Sequence, residues 1–420
     1  ASVIDDIDAR LSATSGRRLY PFQREGARAL ASSDGFALFD DQGLGKTVQA
    51  LAAIPIGGRA VVVCPKVAKG VWVREIQTWR STDLRATVLE GRGSFRWPEA
   101  GEVVAINYQI LSETLPVPVP TGVYLVFDEA HAIRKSKSQQ TTKAKTLADA
   151  VREKGGKVIL LTGTPMDNKP QEMWNLFRIA GIERRAFGNW NNFLDLFEGV
   201  PGEYGGYTFG HYVTVRDENG KAIGNKLTFD RQDEIVTALR RVSLRRMKED
   251  VLTDLPAKSY RDIVVELSPK LAKECDAMLA GIDLEALVSE VKSDHDISFR
   301  KFSGLYEKLS TIKIPAMLEI IESYEDAEEP LIVFSPHRAP VDALAEREGW
   351  RVITGDTPTQ ERTEIENLMQ AGKLKGVAGT IQAMGVAITM TRSSNVLFVG
   401  RSLTPGGNLQ AEDRAYRMGQ

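Results

Sequence analysis

The chain has little of what marks secreted, metal-clustered or membrane-spanning proteins. Its 420 residues include only two cysteines, Cys64 and Cys275, and four histidines, which excludes a disulfide framework and argues against a zinc cluster. No apolar run approaches about 18 residues, the length that crosses a bilayer, and no signal-peptide pattern opens the chain. These absences predict a protein of a reducing cell interior with no membrane contact. We expect a bacterial or phage-infected cytoplasm.

An excess of basic charge is also absent. Lysine and arginine number 54 against 56 acidic residues, so the net charge is −2. Proteins that bind nucleic acid often carry a clear positive excess. Local basic pairs do occur at Arg184-Arg185, Arg240-Arg241 and Arg245-Arg246. Each pair fits a solvated face, and each also fits part of a small basic groove, so the sequence leaves both open.

A glycine-rich turn stands between a strand-like run and a helix-forming run. It reads Asp40-Asp41-Gln42-Gly43-Leu44-Gly45-Lys46-Thr47, after Gly35-Phe36-Ala37-Leu38-Phe39 and before Val48-Gln49-Ala50-Leu51. In such a loop Gly43 and Gly45 let backbone N–H groups face the phosphates of a nucleotide. Lys46 then reaches the β- and γ-phosphates, and Thr47 offers its hydroxyl to Mg²⁺. Asp40 occupies the first glycine position of the strict pattern, so a chance match is the alternative.

Two adjacent carboxylates end another strand-like run. Asp128-Glu129-Ala130-His131 follows the continuous apolar run Val123-Tyr124-Leu125-Val126-Phe127. Acids at the carboxyl end of a buried strand face the crevice where α/β proteins bind ligands, and a cation offsets their charge. We therefore assign Mg²⁺ binding to Asp128, and orientation and deprotonation of the attacking water to Glu129. The alternative is a helix N-cap, in which both acids stabilise the following turn.

Further motifs, read in order, resemble one protein family. They are Tyr20-Pro21-Phe22-Gln23, Val61-Val62-Val63-Cys64-Pro65-Lys66, Ile106-Asn107-Tyr108, Leu161-Thr162-Gly163-Thr164-Pro165, Leu244-Arg245-Arg246-Met247-Lys248, the segment 380–385, and Gln410-Ala411-Glu412-Asp413-Arg414-Ala415-Tyr416-Arg417-Met418-Gly419-Gln420. With the two motifs above, the chain resembles the SWI/SNF-type branch of the superfamily-two helicase-like ATPases, in particular its compact phage, bacterial or annealing-helicase-like members. The last string is the most branch-specific, and it ends at the final residue, which is compatible with a minimal form, a truncated form or an ordered fragment.

The resemblance implies roles for residues around ATP. Gln23 would read the adenine edge; the alternative is a surface glutamine on an amphipathic helix. Arg414 and Arg417 would be arginine fingers that stabilise the transferring phosphoryl group. Their spacing places both on one helix face, which alone fits a solvated face equally well. Gln410 would add a further contact across the same cleft.

The resemblance also implies contacts with nucleic acid. Lys66, Asn107 and Thr164 fall just after apolar runs of the first half, and Thr380 and Gly385 follow one in the second half. They would hold phosphates without reading bases. The alternative for the asparagine and glycine positions is turn chemistry, and for neighbouring Tyr108 a place in the core.

Alternating apolar and helix-forming segments predict an α/β fold with two RecA-like parallel-sheet lobes and helical and β-hairpin insertions. Predicted strands are Phe36–Phe39, Ala60–Val63, Val103–Ile106, Tyr124–Phe127, Val158–Leu161, Leu331–Phe334, Arg351–Ile353, Gly376–Ala378 and Val396–Val399. We expect a first ATPase lobe over 1–182, an insertion over 183–255, a helical protrusion over 256–312 and a second lobe over 313–420. Asp217-Glu218-Asn219-Gly220 between two β-prone runs predicts a hairpin in the insertion.

These features favour an ATP- and Mg²⁺-dependent DNA translocase, a DNA-stimulated ATPase that moves along duplex or forked DNA. The motion is implied by the resemblance, whereas the residues themselves indicate only the ATPase. The alternatives are a strand-separating DNA or RNA helicase and a catalytically silent nucleic-acid clamp. We expect a monomer that is associated with the nucleoid and has DNA as its partner, alongside proteins of replication, repair or recombination.

Overall fold

The computed structural model divides the chain into two compact units, Ala1–Thr253 and Asp254–Gln420. The described residues are 18–136, 138–166, 169–202, 205–216, 222–252, 258–279, 304, 306–384, 390–402 and 405–416. Within them, no helix has both the length and the apolar character needed to cross a membrane.

The strands of the described residues fall into two large sheets and two small ones. In chain order they are β1 (Gly35–Leu38), β2 (Arg59–Cys64), β3 (Arg85–Val88), β4 (Glu102–Asn107), β5 (Val123–Asp128), β6 (Lys157–Leu161), β7 (Val200–Pro201), β8 (Tyr207–Thr208), β9 (His211–Arg216), β10 (Ala222–Thr228), β11 (Ser243–Leu244), β12 (Leu331–Ser335), β13 (Trp350–Ile353), β14 (Gly376–Thr380) and β15 (Asn395–Phe398).

Helices connect the strands of each sheet. In chain order they are α1 (Pro21–Ser32), α2 (Lys46–Ala53), α3 (Lys69–Trp79), α4 (Gln139–Glu153), α5 (Pro170–Ala180), α6 (Glu183–Phe187), α7 (Trp190–Leu196), α8 (Gln232–Arg240), α9 (Lys248–Val251), α10 (Pro269–Leu279), α11 (Ile314–Asp326), α12 (Arg338–Asp342), α13 (Thr359–Gln370), α14 (Ile381–Met384) and α15 (Pro405–Glu412). Residues 306–312 are also helical.

The sheet of the first unit has seven strands in the order β11-β1-β6-β5-β2-β4-β3. All neighbouring strands run parallel. Strands β2, β4 and β5 are buried at nearly every position. Parallel strands need this continuous apolar character because connecting helices cover both faces of the sheet. The apolar runs seen in the sequence are therefore the inner strands of this sheet.

Local signals set where the helices of the first unit begin and end. Ser138 caps α4 by accepting a hydrogen bond of 3.1 Å from the Thr141 backbone N–H. Pro170 opens α5, where its missing N–H costs nothing, and Gly181 ends that helix with φ 71°. The ends of α4 and α5 are thus marked by residues whose local chemistry favours a helix terminus.

An aromatic cluster holds together the chain that follows α5. Its rings belong to Trp174, Phe187, Trp190, Phe193, Phe197, Tyr207, Phe209 and Phe229. The Phe193 and Phe197 ring centroids lie 4.6 Å apart.

Strands β9 and β10 pair antiparallel, with His211 opposite Thr228 at the base of the hairpin. The hairpin prediction is confirmed, although its turn, 217–220, lies outside the described residues.

The sheet of the second unit has four parallel strands in the order β13-β14-β12-β15. Alternate residues of β12 enter two different cores. Ile332 and Phe334 join one hydrophobic cluster, and Leu331 and Val333 join the other. Because successive side chains of a strand point to opposite faces, this division shows that both faces of the sheet are covered.

The predicted α/β fold with two parallel-sheet lobes is confirmed, and all nine predicted strands are present within a residue or two of their predicted ends. Among the described residues, four strands were missed, two of which are β7 and β8, a pair of two-residue strands. Strand β3 is polar and lies at a sheet edge, and β11 is only two residues long. Because β11 pairs with β1, the stretch 183–255 includes a strand of the first sheet as well as the hairpin. The four-part domain division stays a prediction.

Candidate nucleotide site

The carboxyl edge of the first sheet gathers the motifs of the first unit. The loops after β1, β2, β4, β5 and β6 carry Lys46, Lys66, Tyr108, Glu129 and Thr164, respectively. Since all these strands run parallel, their carboxyl ends meet at one edge, which is where ligands bind in open α/β sheets. Residues far apart in sequence therefore lie around one crevice.

The phosphate loop has the backbone shape that its glycines permit. Gly43 and Gly45 have φ of 85° and 72°, in the left-handed region that favours glycine. Gly45 precedes α2, which begins at Lys46. The first N–H groups of a helix have no partner within it and carry partial positive charge, so this end suits a phosphate. The context predicted from sequence, strand then loop then helix, is confirmed.

Lys46 is held by its own loop in this structure. Its Nζ donates to the backbone oxygens of Asp40 at 2.7 Å and Asp41 at 3.1 Å. Burial lowers the pKa of the ammonium, and the nearby carboxylates, Glu129 foremost, oppose that shift. A nucleotide phosphate at the loop would compete with these two carbonyls for Lys46.

Asp128 sits at the end of β5 with both carboxylate oxygens engaged. Trp72 Nε1 donates to its Oδ2 at 2.8 Å, and the Glu129 backbone N–H donates to its Oδ1 at 3.0 Å. Tyr108 donates its hydroxyl to the Asp128 backbone oxygen at 2.8 Å. Burial first, and then the Glu129 charge, raise the pKa of the Asp128 carboxyl. A divalent cation would offset this concentration of negative charge.

Glu129 begins a short chain of polar contacts toward the loop after β6. Its backbone has φ 51°, an uncommon conformation for a non-glycine residue. Its Oε2 lies 3.2 Å from His131 Nδ1, which lies 3.2 Å from Thr162 Oγ1. Thr162 Oγ1 in turn accepts from the Thr164 N–H at 3.1 Å. The Glu129 side chain does not cap the short 3₁₀ turn Ala130–Ile133, so the helix-cap alternative is wrong for this residue.

Gln23 is buried at the start of α1. It is 3% exposed, so the surface-glutamine alternative is wrong. Its Oε1 accepts from the Tyr20 N–H at 3.0 Å, and its Nε2 donates to the Leu44 oxygen at 3.3 Å. The amide therefore ties the helix to the phosphate loop. Its predicted contact with adenine remains a prediction.

Sequence reasoning missed the residues that support the loop and the acids. Arg246, placed in a basic pair, instead makes two hydrogen bonds to the Asp40 carboxylate, at 3.0 and 2.6 Å. Trp72 and Tyr108 contact Asp128 from α3 and from the end of β4. No sequence spacing predicts these contacts, because the partners are brought together only by the order of the strands in the sheet.

The residues predicted to contact nucleic acid differ in exposure. Lys66 is exposed, and Thr164 is half-buried. Asn107 is buried, and its Nδ2 donates to Gln109 Oε1 at 2.8 Å. Cys64 is fully buried, and burial raises the pKa of its thiol well above the ordinary value.

In the second unit, Thr380 ends β14, and its Oγ1 accepts from the Ala383 N–H at 3.3 Å. Gln410 is half-buried on α15. That helix ends at Glu412, so the prediction that Arg414 lies on a helix face is wrong. Arg414 lies in the turn that follows the helix and is 4% exposed. Gly385 and Arg417 lie outside the described residues.

Among the described residues, one group of potential metal ligands lies outside the nucleotide motifs, at the base of the hairpin. It consists of Glu198, His211 and Asp230. Glu198 faces His211 Nδ1 at 3.5 Å, whereas Asp230 faces Nε2 at 3.8 Å.

Comparison with known families assigns both halves of the chain. Residues 22–296 match the SNF2-related domain. The chain belongs to the SNF2-related domain family. Residues 312–419 of this SNF2-related chain match the helicase conserved C-terminal domain. The predicted resemblance to the SWI/SNF-type branch is therefore confirmed.

Relatives of this SNF2-related chain share its full length but are themselves longer. A Caenorhabditis elegans homolog of SWI/SNF-related matrix-associated actin-dependent regulator of chromatin subfamily A-like protein 1 is 28% identical over 99% of the chain and 59% of its own length. The human DNA annealing helicase and endonuclease ZRANB3 is 26% identical over 100% of the chain and 38% of its own length. The Sulfolobus solfataricus SWI2/SNF2 ATPase core in complex with dsDNA has 21% identity and a TM-score of 0.43, covering 96% of this chain and 86% of that one. The chain thus spans 38% to 59% of the length of these two curated relatives.

Proposed function

We propose that this SNF2-related chain hydrolyses ATP and uses the energy to move along duplex or forked DNA. The support is the meeting of a phosphate loop and a pair of acids at one carboxyl edge, in a chain of this family. The names of two relatives refer to chromatin regulation and to a DNA annealing helicase. DNA is accordingly the proposed partner.

Each residue of the loop would contribute to binding of the triphosphate. The N–H groups around Gly43 and Gly45 would contact the phosphates, and Lys46 would leave its two loop carbonyls to contact the β- and γ-phosphates. Gln23 would contact adenine, with Gln410 adding a polar contact. Arg414 and Arg417 keep the role that the resemblance implies, which is to stabilise charge on the transferring phosphoryl group.

The acids fit a divalent cation. Asp128 is a carboxylate whose pKa is raised by burial and by Glu129, and Thr47 supplies a hydroxyl at the start of α2. We propose that Asp128 and Thr47 would hold Mg²⁺, which supplies charge neutralisation on the phosphates when bound. Glu129 would accept a proton from the attacking water, and its contact with His131, which itself contacts Thr162, limits the orientations of the Glu129 side chain.

Among the described residues, the proposed DNA contacts lie at the carboxyl ends of strands or just after them. Lys66 is the exposed cation among them, and Asn107, Thr164, Thr380 and Gly385 would contribute polar or backbone contacts to phosphates. Proteins of replication, repair or recombination are proposed as further partners. The monomeric state and the bacterial or phage-infected cytoplasm, with association with the nucleoid, stay predictions.

The test measures phosphate release with no nucleic acid, single-stranded DNA, blunt duplex DNA, forked DNA and single-stranded RNA. We expect duplex or forked DNA to stimulate hydrolysis most. The Glu129→Gln variant serves as the control for contaminating ATPases. Translocation is checked separately by displacement of a third strand from a triplex, which requires no separation of the duplex.

The outcomes separate the proposal from its alternative. Strongest stimulation by single-stranded RNA would contradict the proposal. Separation of a forked duplex with no triplex displacement would favour the strand-separating helicase. Nucleic-acid binding without ATP hydrolysis would indicate a silent clamp.

A further inference from the structure

The phosphate loop of the first unit and the strand before it are hydrogen-bonded to residues 242–246, a segment some two hundred residues later in the chain. A ladder of backbone hydrogen bonds joins the two. Ala37 N donates to Val242 O at 2.9 Å, Phe39 N donates to Leu244 O at 2.7 Å, and Asp41 N donates to Arg246 O at 3.0 Å. The pairing of β1 with β11 thus continues past both strands into the loop.

Side chains strengthen the same contact. The Asp40 carboxylate is 0% exposed and receives Arg246 Nε at 3.0 Å and Nη2 at 2.6 Å. The Asp41 carboxylate accepts from the Lys248 backbone N–H at 3.1 Å. A two-point guanidinium–carboxylate contact fixes both distance and orientation, and in a buried setting it is costly to leave half-made.

Residues of α1 and α2 make further contacts with Arg246, among them the Glu25 carboxylate, whose Oε2 lies 3.2 Å from Arg246 Nη1. Gln49 on α2 donates to Asp40 Oδ2 at 3.1 Å and accepts from Arg246 Nη2 at 2.8 Å. The Arg246 guanidinium also lies over the Phe22 ring, 5.4 Å from its centroid. Gly26 of α1 leaves the space, because a Cβ there would lie 1.9 Å from Gln49 Oε1 and 2.7 Å from Arg246 Nη2.

This arrangement explains why Asp40 replaces the first glycine of the strict phosphate-loop pattern. A glycine at position 40 would have no side chain to accept the two hydrogen bonds from Arg246. The backbone oxygens of Asp40 and Asp41 are also the two acceptors of Lys46. The contact between Arg246 and Asp40 therefore also determines where the Lys46 ammonium is held before a nucleotide binds.

We propose that Arg246 is a positioning residue of the nucleotide site, which holds the phosphate loop through Asp40 in its nucleotide-binding conformation. The inference rests on the proposed ATPase function. Arg246 touches no phosphate in this scheme, so its loss changes how often the loop is competent to bind. The apparent affinity for ATP is then reduced in proportion to the fraction of molecules whose loop is competent to bind. Turnover at saturating ATP is unchanged, because ATP then holds the loop in its competent conformation.

The test compares Arg246→Gln with Arg231→Gln, which removes an exposed arginine–carboxylate pair elsewhere in the first unit. The readouts are KM and kcat for ATP with saturating duplex DNA, and Kd for a fluorescent ATP analogue without DNA. For Arg246→Gln we expect KM and Kd to rise about tenfold, as for a loop that is competent about a tenth of the time, with kcat within about twofold. Arg231→Gln should match the parent chain.

A structural role alone would lower the unfolding temperature of Arg246→Gln and leave KM and Kd within about twofold of the parent, and this overturns the inference. A fall in kcat with unchanged KM also overturns it, since the residue would then act on the reaction itself. A parent chain that neither binds nor hydrolyses ATP would instead defeat the proposed function.

Milder variants keep the inference testable if Arg246→Gln does not fold. Arg246→Lys retains the charge without the two-point contact, and Asp40→Asn retains the shape without the charge. Each should raise Kd for the analogue. The Kd of the double variant should not exceed the higher of the two single-variant values, because both substitutions break the same interaction. Additive losses in the double variant would show that the two residues act independently.

Discussion

Trp72 donates its indole N–H to Asp128 Oδ2 across 2.8 Å, from a ring that is 0% exposed. The donor lies on α3 and the acceptor ends β5, so the bond connects a covering helix to the carboxyl edge of the sheet. A carboxylate held in this way has one orientation toward the crevice. Asp128 therefore enters the nucleotide site with its direction already set.

Replacing Trp72 by phenylalanine should loosen that orientation while keeping most of the ring volume. Because partners of a metal-binding group tune its affinity by about 10- to 100-fold, we expect the Mg²⁺ concentration for half-maximal hydrolysis to rise about tenfold. The measurement is ATPase rate against Mg²⁺ at fixed ATP. Trp79→Phe on the same helix is the matched control. An unchanged Mg²⁺ requirement in Trp72→Phe would show that the bond is only structural.

Lys46→Ala and Glu129→Gln should both abolish hydrolysis for different reasons. Lys46→Ala removes a phosphate contact, so nucleotide affinity should fall as well. Glu129→Gln keeps the shape of the side chain but removes the base, so ATP should still bind. Equilibrium binding of a fluorescent ATP analogue distinguishes the two. Loss of binding in Glu129→Gln would mean that Glu129 is not the base.

Lys66→Ala should weaken binding to duplex DNA without regard to its sequence. The side chain is exposed in the loop after β2, and a single phosphate contact contributes about one unit to the slope of log affinity against log salt. We expect that slope to decrease by about one, measured by fluorescence anisotropy at several salt concentrations. A slope equal to that of the parent would remove Lys66 from the DNA-binding surface.

Glu325→Gln should destabilise the second unit at neutral pH. Arg347 donates to Glu325 Oε1 and Oε2 at 2.9 and 2.8 Å, and Trp350 Nε1 donates to Oε1 at 2.7 Å. The Arg347 bonds, and then that of Trp350, lower the pKa of Glu325 to about 2. A carboxyl whose pKa is depressed by folding stabilises above its unfolded pKa of about 4.3, and the contribution disappears as pH falls toward about 2.

After a discount for partial exposure, we expect a loss of about 1–2 kcal/mol at pH 7. Hydrogen exchange of the Leu331–Ser335 amides reports on the second sheet alone. Parent and variant should converge near pH 2. Glu322→Gln, which removes a more exposed acid 3.8 Å from Arg347, should have little effect. A difference between parent and Glu325→Gln that persists at pH 2 would contradict the assignment.

The amino-acid sequence by itself determined the local elements and the motifs they carry. Apolar runs identified the inner strands of both sheets because parallel strands are buried along their length. Glycines and a lysine identified the phosphate loop because few other residues adopt positive φ or reach a phosphate. The adjacent acids at the end of β5 were also identified from the sequence, because they directly follow an apolar run and so their position at a strand end is local information.

Only the tertiary structure decided which distant residues support these motifs. Arg246 lies 206 positions from Asp40, and Trp72 lies 56 positions from Asp128. Both contacts depend on strand order, which places β11 beside β1 and brings α3 over the end of β5. Strand order results from the packing of the whole sheet and leaves no spacing in the sequence. The residues that hold the nucleotide site in shape were therefore visible only once the chain was folded.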